Sequence, residues 1–216
     1  MNSISYLQVN STRLAYRPGA NPLEDSTILM LHGWTGDETS MWVFTKDLPS
    51  HINILAPCAP YHADPTGFSW VEKYASSGFP DWVAFLPSLN SVIRDIPAWL
   101  DVLQVPRQNN LRLVGFSQGA ALALLLGLSN PSLVSKVAAI SGFLPELPSG
   151  LIMDASNLPE FFLSHGTRDE IVPVSYSRQS VVYLSNLNAS VEYCESETKH
   201  RMSLRCMPEL TRFLSS

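Results

Sequence analysis

The run Leu111–Leu128, LRLVGFSQGAALALLLGL, constrains this chain more than any other segment. An apolar strand-like stretch, Leu111–Phe116, passes through Gly115-Phe116-Ser117-Gln118-Gly119 and continues at once into the apolar helical segment Gln118–Leu128. A strand read as a continuous apolar run is buried on both faces. A helix as apolar as AALALLLGL must be buried too. Burying both calls for a sheet with helices packed over it.

The rest of the chain repeats that alternation. Ser3–Val9 and Thr12–Arg17 alternate around Asn10-Ser11 and read as a hairpin. Thr27–Leu31 (TILML), Ile52–Ala56, Val134–Ile140, Phe161–Ser164 and Ala189–Cys194 read as strands. Helices are expected over Thr39–Leu48, ended by Pro49, over Val174–Leu187 and over Cys206–Leu214. Trp82–Leu103 has helical periodicity interrupted by Pro87 and Pro97. Strands alternating with helices imply right-handed crossovers and a mostly parallel sheet, an α/β fold. With 216 residues, one domain over positions 1–216 is expected. In open sheets of this kind function gathers at the carboxyl ends of the strands.

Composition removes several functions. The net charge of −5 argues against a nucleic-acid partner, which needs a cationic face. The N-terminal residues lack a charged region followed by an apolar run, so no signal peptide is expected. The longest apolar stretch, Ala120–Leu128, falls short of the ~20 residues that span a bilayer, so no membrane anchor is expected. Cys58, Cys194 and Cys206 form no CxxC pair and read as free thiols in a reducing, cytoplasmic compartment. His51 and His62-Ala63-Asp64 do not make a metal site, and no metal or cofactor is expected.

The chemistry centres on G-x-S-x-G. A sharp strand-to-helix turn holds Ser117 in an unfavourable backbone conformation and needs glycine two positions away on either side. Ser117 is therefore the candidate nucleophile. A serine needs a base, and the base an orienting acid, which here should follow in the order Ser, Asp or Glu, His. Asp169 sits after the strand Phe161–Ser164, with Glu170 as its neighbour and competitor. His200 lies between the last strand and the last helix, the place expected for the base. His165 precedes the acid and reads as a structural histidine bonded to loop backbone. An oxyanion formed at Ser117 needs two amide donors, expected from the backbone N–H groups of Gln118 and of Trp34 in His32-Gly33-Trp34-Thr35-Gly36.

The ordered motifs LHGWTGDETSMW, GFSQGAAL, SGFLP, HGTRDEIVPV and KHRMSLRCMPEL resemble the phospholipase/carboxylesterase family, from about Thr27 to Phe213. This compact group of α/β-hydrolases includes acyl-protein thioesterases and small carboxylesterases. The resemblance implies an α/β-hydrolase fold with a short cap, a triad of Ser117, Asp169 and His200, and hydrolysis of a small-molecule carboxylic ester or thioester through an acyl-enzyme. Protein thioesters and lysophospholipids are alternative substrates. This chain departs from the thioesterase members at Trp34, where they carry a small apolar residue such as leucine, and at Lys199, where they carry glycine. Ala120 follows Gly119 where many members have a second glycine. These departures leave the triad intact and weigh against a protein-deacylating substrate.

The aromatic-rich stretch 60–82 is the expected cap or pocket wall, with Tyr61, Phe68 and Trp70 lining an acyl pocket. With Lys73 its one basic residue, it points away from polyanionic substrates and toward small or medium acyl esters. A non-catalytic ligand-binding protein on the same fold is the reading from a different class. The oligomeric state is left open.

Overall fold

The computed structural model describes residues 3–20, 26–73, 78–102, 104–105, 111–147 and 157–216. The strands in chain order are β1 (Ser5–Val9), β2 (Thr12–Arg17), β3 (Thr27–Leu31), β4 (Asn53–Pro57), β5 (Tyr61–His62), β6 (Phe68–Ser69), β7 (Leu111–Phe116), β8 (Val134–Ile140), β9 (Glu160–Gly166) and β10 (Val191–Ser196). Eight of them form one sheet in the order β1-β2-β4-β3-β7-β8-β9-β10. From β4 to β10 the neighbours are parallel, and β1 and β2 add an antiparallel edge. The helices are α1 (Trp82–Val102), α2 (Gln118–Ser129), α3 (Val174–Asn186) and α4 (Met207–Ser215).

Alternate residues of each strand feed two cores, because successive side chains leave opposite faces. Leu29 and Leu31 join Leu113, Val137 and Leu163 beneath α1, α2 and α3. Ile28 and Met30 join Val114, Ala138 and Phe162 beneath α4 and the segment that follows β3. This is the mostly parallel, helix-covered α/β sheet that the alternation implied, and the α/β-hydrolase fold that the resemblance implied.

Three expectations need correction. The helix expected over Thr39–Leu48 is a single 3-10 turn, Trp42–Thr45. The Asp37 carboxylate accepts from the Thr39 amide at 2.9 Å and from the hydroxyls of Thr39 and Ser40, and such local bonds compete with helix formation. Pro87 and Pro97 do not interrupt α1, which runs unbroken through both. Its stripe Phe85, Leu89, Val92, Ile96 and Trp99 is buried at three- and four-residue intervals, which outweighs the backbone bonds the prolines cannot make. Leu103, read as the helix's last residue, lies outside the described residues.

The third correction concerns the cysteines. Cys194 of β10 and Cys206, just before α4, are disulfide-bonded, with Cα atoms 6.0 Å apart. Only Cys58 is a free, buried thiol. Nothing in the spacing of the two cysteines announces the pair. It forms because α4 packs on the face of the sheet onto which Cys194 points, among the same buried residues.

Candidate active site

β7 ends and α2 begins at Ser117, whose φ of 53° and ψ of −116° place it outside the ordinary regions for a side-chain-bearing residue. The turn closes only because its flanks are glycine. A Cβ on Gly115 would stand 2.3 Å from the Gly119 carbonyl oxygen, and one on Gly119 would stand 2.1 Å from that of Leu31. The Ser117 amide donates to the Ile140 carbonyl at 2.8 Å, which ties the turn to the end of β8.

The structure brings the three predicted side chains together. His200 Nδ1 lies 2.7 Å from Asp169 Oδ2, and His200 Nε2 lies 2.9 Å from Ser117 Oγ. A carboxylate can only accept, so Nδ1–H donates to Asp169. Nε2 is then the acceptor for the serine hydroxyl. The Asp169 side chain is fully buried, and its Oδ1 accepts the amides of Ile171 and Val172, each at 2.9 Å. Glu170, the competing acid, is exposed. His165 takes the structural part expected of it: Nε2–H donates to the Val172 carbonyl at 2.8 Å and lies 3.3 Å from Asp169 Oδ2. Burial lowers its pKa and keeps it neutral.

The loop after β3 lies against Ser117. A Cβ on Gly33 would meet Ser117 Cβ at 3.4 Å. The loop is pinned from several sides. Thr35 N–H donates to the Phe68 carbonyl at 3.0 Å, and Phe68 N–H donates to the Gly36 carbonyl at 2.9 Å. His32 Nδ1–H donates to the Gly33 carbonyl at 2.7 Å, and Nε2 accepts the Ala59 amide at 3.0 Å. Burial pushes the His32 pKa down, which suits this neutral tautomer. Trp34, on this loop, is half-exposed, and Gln118 opens α2, where amides have no acceptor in a preceding turn.

Sequence reasoning missed two of these supports. It used His32 only as the end of a strand, and Gln118 only for its backbone. The Gln118 side chain accepts the Trp70 amide at 2.8 Å and donates to Ser69 Oγ at 3.1 Å. A buried polar side chain needs partners, but which ones they are depends on the returning loop.

The assignment of the pocket wall is corrected. Trp70 is 1% exposed; its indole Nε1–H donates to the His32 carbonyl at 2.8 Å. It supports the loop from beneath. Phe68 is covered by the Arg13 guanidinium, 4.4 Å from the ring centroid. Phe68 and Trp70 line a separate cavity of about 370 Å³, with Arg13 and Trp99 among its other walls. Tyr61 pairs with Ser69 in the two-residue β5–β6 hairpin. None of the three lines the groove of about 1240 Å³ that begins at Gly33 and Phe116 beside Ser117. Residues 74–77 of the expected cap lie outside the described residues.

Comparison with known proteins decides the family. The model of the family described as Phospholipase/Carboxylesterase matches residues 19–216. The chain belongs to the phospholipase/carboxylesterase family. Among relatives of this family member is an acyl-protein thioesterase 1 from Mycosarcoma maydis, 30% identical over 224 residues, covering 93% of this chain and 92% of the relative. The crystal structure of esterase PE8 superposes with a TM-score of 0.74 at 25% identity, covering 92% of this chain and 95% of that one. A carboxylesterase from Mesorhizobium loti has the same fold, with a TM-score of 0.80 at 18% identity and 98% of both chains covered.

Proposed function

We propose that this hydrolase cleaves small-molecule carboxylic esters, and thioesters by the same chemistry, with Ser117 as nucleophile, His200 as general base and acid, and Asp169 as the group that orients His200. The observation that carries the reading is the continuous row Ser117 Oγ, His200 and Asp169 at hydrogen-bond distances. Esterase and thioesterase names among the relatives support it.

As Oγ attacks the carbonyl carbon, a C–O bond forms and the serine proton passes to His200 Nε2. The carbonyl electron pair moves onto oxygen, where the amides of Trp34 and Gln118 stabilise it; one such donor is worth about 3–4 kcal/mol. The tetrahedral species collapses, His200 gives its proton to the leaving oxygen or sulfur, and the acyl group stays on Ser117. Water, deprotonated by His200, then releases the acid. Asp169 holds the imidazole in its reactive tautomer and stabilises the imidazolium. The 216 residues act as one catalytic domain. The small β5–β6 hairpin and the 19% exposure of the His200 side chain suit small or medium acyl groups entering an open site.

A fluorophosphonate probe and a p-nitrophenyl ester series test the assignment. The native protein should be labelled and should hydrolyse the shorter esters; Ser117→Ala should lose labelling and about 10⁶-fold in kcat. A native protein that takes no label and cleaves no ester overturns the assignment in favour of a ligand-binding protein. The cytoplasmic location was expected in part from three free thiols, and the Cys194–Cys206 disulfide removes that support. Counting thiols in intact cells tests it: three fit a reducing compartment, one an oxidising compartment.

A further inference from the structure

We propose that the groove between residues 40–47 and α4 holds the leaving-group half of the substrate, and that this half is a long or bulky apolar alcohol or thiol. The proposal rests on the roles given above to Ser117 and His200.

The groove, about 1240 Å³, exceeds the roughly 300–1,000 Å³ usual for small-molecule sites. It starts at Gly33 and Phe116, next to Ser117, and has none of the triad residues in its lining. Along α4 it is lined by Met207, Thr211 and Ser215, spaced four residues apart and therefore on one face. The eight steps from Met207 to Ser215, at about 1.5 Å each, make that wall about 12 Å long. The opposite face of α4 carries Leu210, Phe213 and Leu214 into the core.

Most of its lining surface is apolar, with Lys46, Asp47, Arg201 and Arg212 also on its border. Trp34, Val43 and Leu204 all line it, and they are 48%, 68% and 88% exposed. Large apolar side chains gathered at one opening mark a binding surface. Met41, Met202 and Met207 also line it, and methionine adapts to ligands of varied shape.

Its position says which half of the ester it takes. The acyl part stays bonded to Ser117, whereas the leaving atom must lie within reach of His200 Nε2 to collect a proton. The substituent on that atom therefore extends on the imidazole side. Phe116 packs its ring 5.0 Å from the His200 ring and lines the groove. Met202, two residues after His200, lines it as well. The groove thus opens where the leaving group departs.

Two ester series separate the halves: acetates of 1-alkanols from methyl to decyl, and methyl esters of straight-chain acids over the same lengths, both followed by acid release. For the native protein kcat/KM should rise roughly threefold per CH₂ of the alcohol until the groove is full. Thr211→Trp, which fills the groove, should lower the decyl-to-methyl acetate ratio about tenfold or more. Leu204→Asp, at a rim position with no packing to lose, should lower it in the same direction and carries the test if Thr211→Trp does not fold. Val182→Asp, on an exposed site of α3, should leave the ratio unchanged. Gains that track acid length alone, or ratios indifferent to both groove variants, overturn the proposal while leaving the triad standing. Failure to cleave either series, with no fluorophosphonate labelling, overturns the triad assignment and the groove assignment with it.

Discussion

Ser117 stands at the start of α2 and His200 on the connection that leads into α4, and the two helices are held in different ways. Every residue of α2 from Gln118 to Leu128 is buried, packed between the sheet and α1. Of the nine residues of α4, Leu210, Phe213 and Leu214 are buried, and another face opens onto the groove. Ser117 is therefore set by the close packing of the helix that follows it and by a strained turn. His200 rides on the connection from β10 to α4, which is closed at its ends by the Cys194–Cys206 bond. Packing that leaves no slack suits a nucleophile whose geometry must not drift. A one-faced helix beside an open groove leaves room for substrate, and the covalent tie compensates for the missing packing.

The largest expected effect comes from breaking the packed side. Gly119→Ala puts a methyl group 2.1 Å from the Leu31 carbonyl oxygen, a backbone atom that cannot move aside. A loss of about 4 kcal/mol or more is expected, read from urea unfolding. A Gly119→Ala protein of native stability would mean that the turn has slack after all. A smaller effect comes from the tied side. Cys194 and Cys206 stand 12 positions apart, and opening a loop of that size costs about 3 kcal/mol. Cys194→Ser with Cys206→Ser should lose that stability and also lower kcat, because the His200 connection gains freedom. An unchanged kcat in that variant would show that packing alone positions His200, and the contrast between the two helices would fall.

The smallest effect sharpens the comparison by pH. His32 and His165 support the loop after β3 and the Asp169 loop, and burial lowers both pKa values below the ordinary 6.5. The unfolded chain binds these protons at a higher pH than the folded one does. Stability is therefore full above pH 6.5 and declines as pH falls below it toward the lowered folded values. Denaturation midpoints measured from pH 8 to pH 5 should show the decline, and His165→Gln should flatten part of it.

Much of this was legible in local sequence. The strands β3, β7 and β8 end where their apolar runs end, and Gly115 and Gly119 announced the turn around Ser117. Chain order picked out Asp169 and His200 because their elements alternate in a fixed sequence around a parallel sheet. The lining of the site was not legible. Aromatic residues in 60–82 read as a pocket wall, yet Trp70 went beneath the loop and the apolar opening formed between residues 40–47 and α4.

By itself the sequence determined the order of strands and helices and the tight turn at Ser117, since each follows from neighbours within a few positions, and chain order marked Asp169 and His200 as the candidates to join Ser117. Tertiary structure alone decided the partner of Cys194, the burial of Trp70 and the side on which the groove opens. Those outcomes depend on which faces of distant elements meet, and an apolar residue reads the same in a core, under a loop or at the rim of a groove.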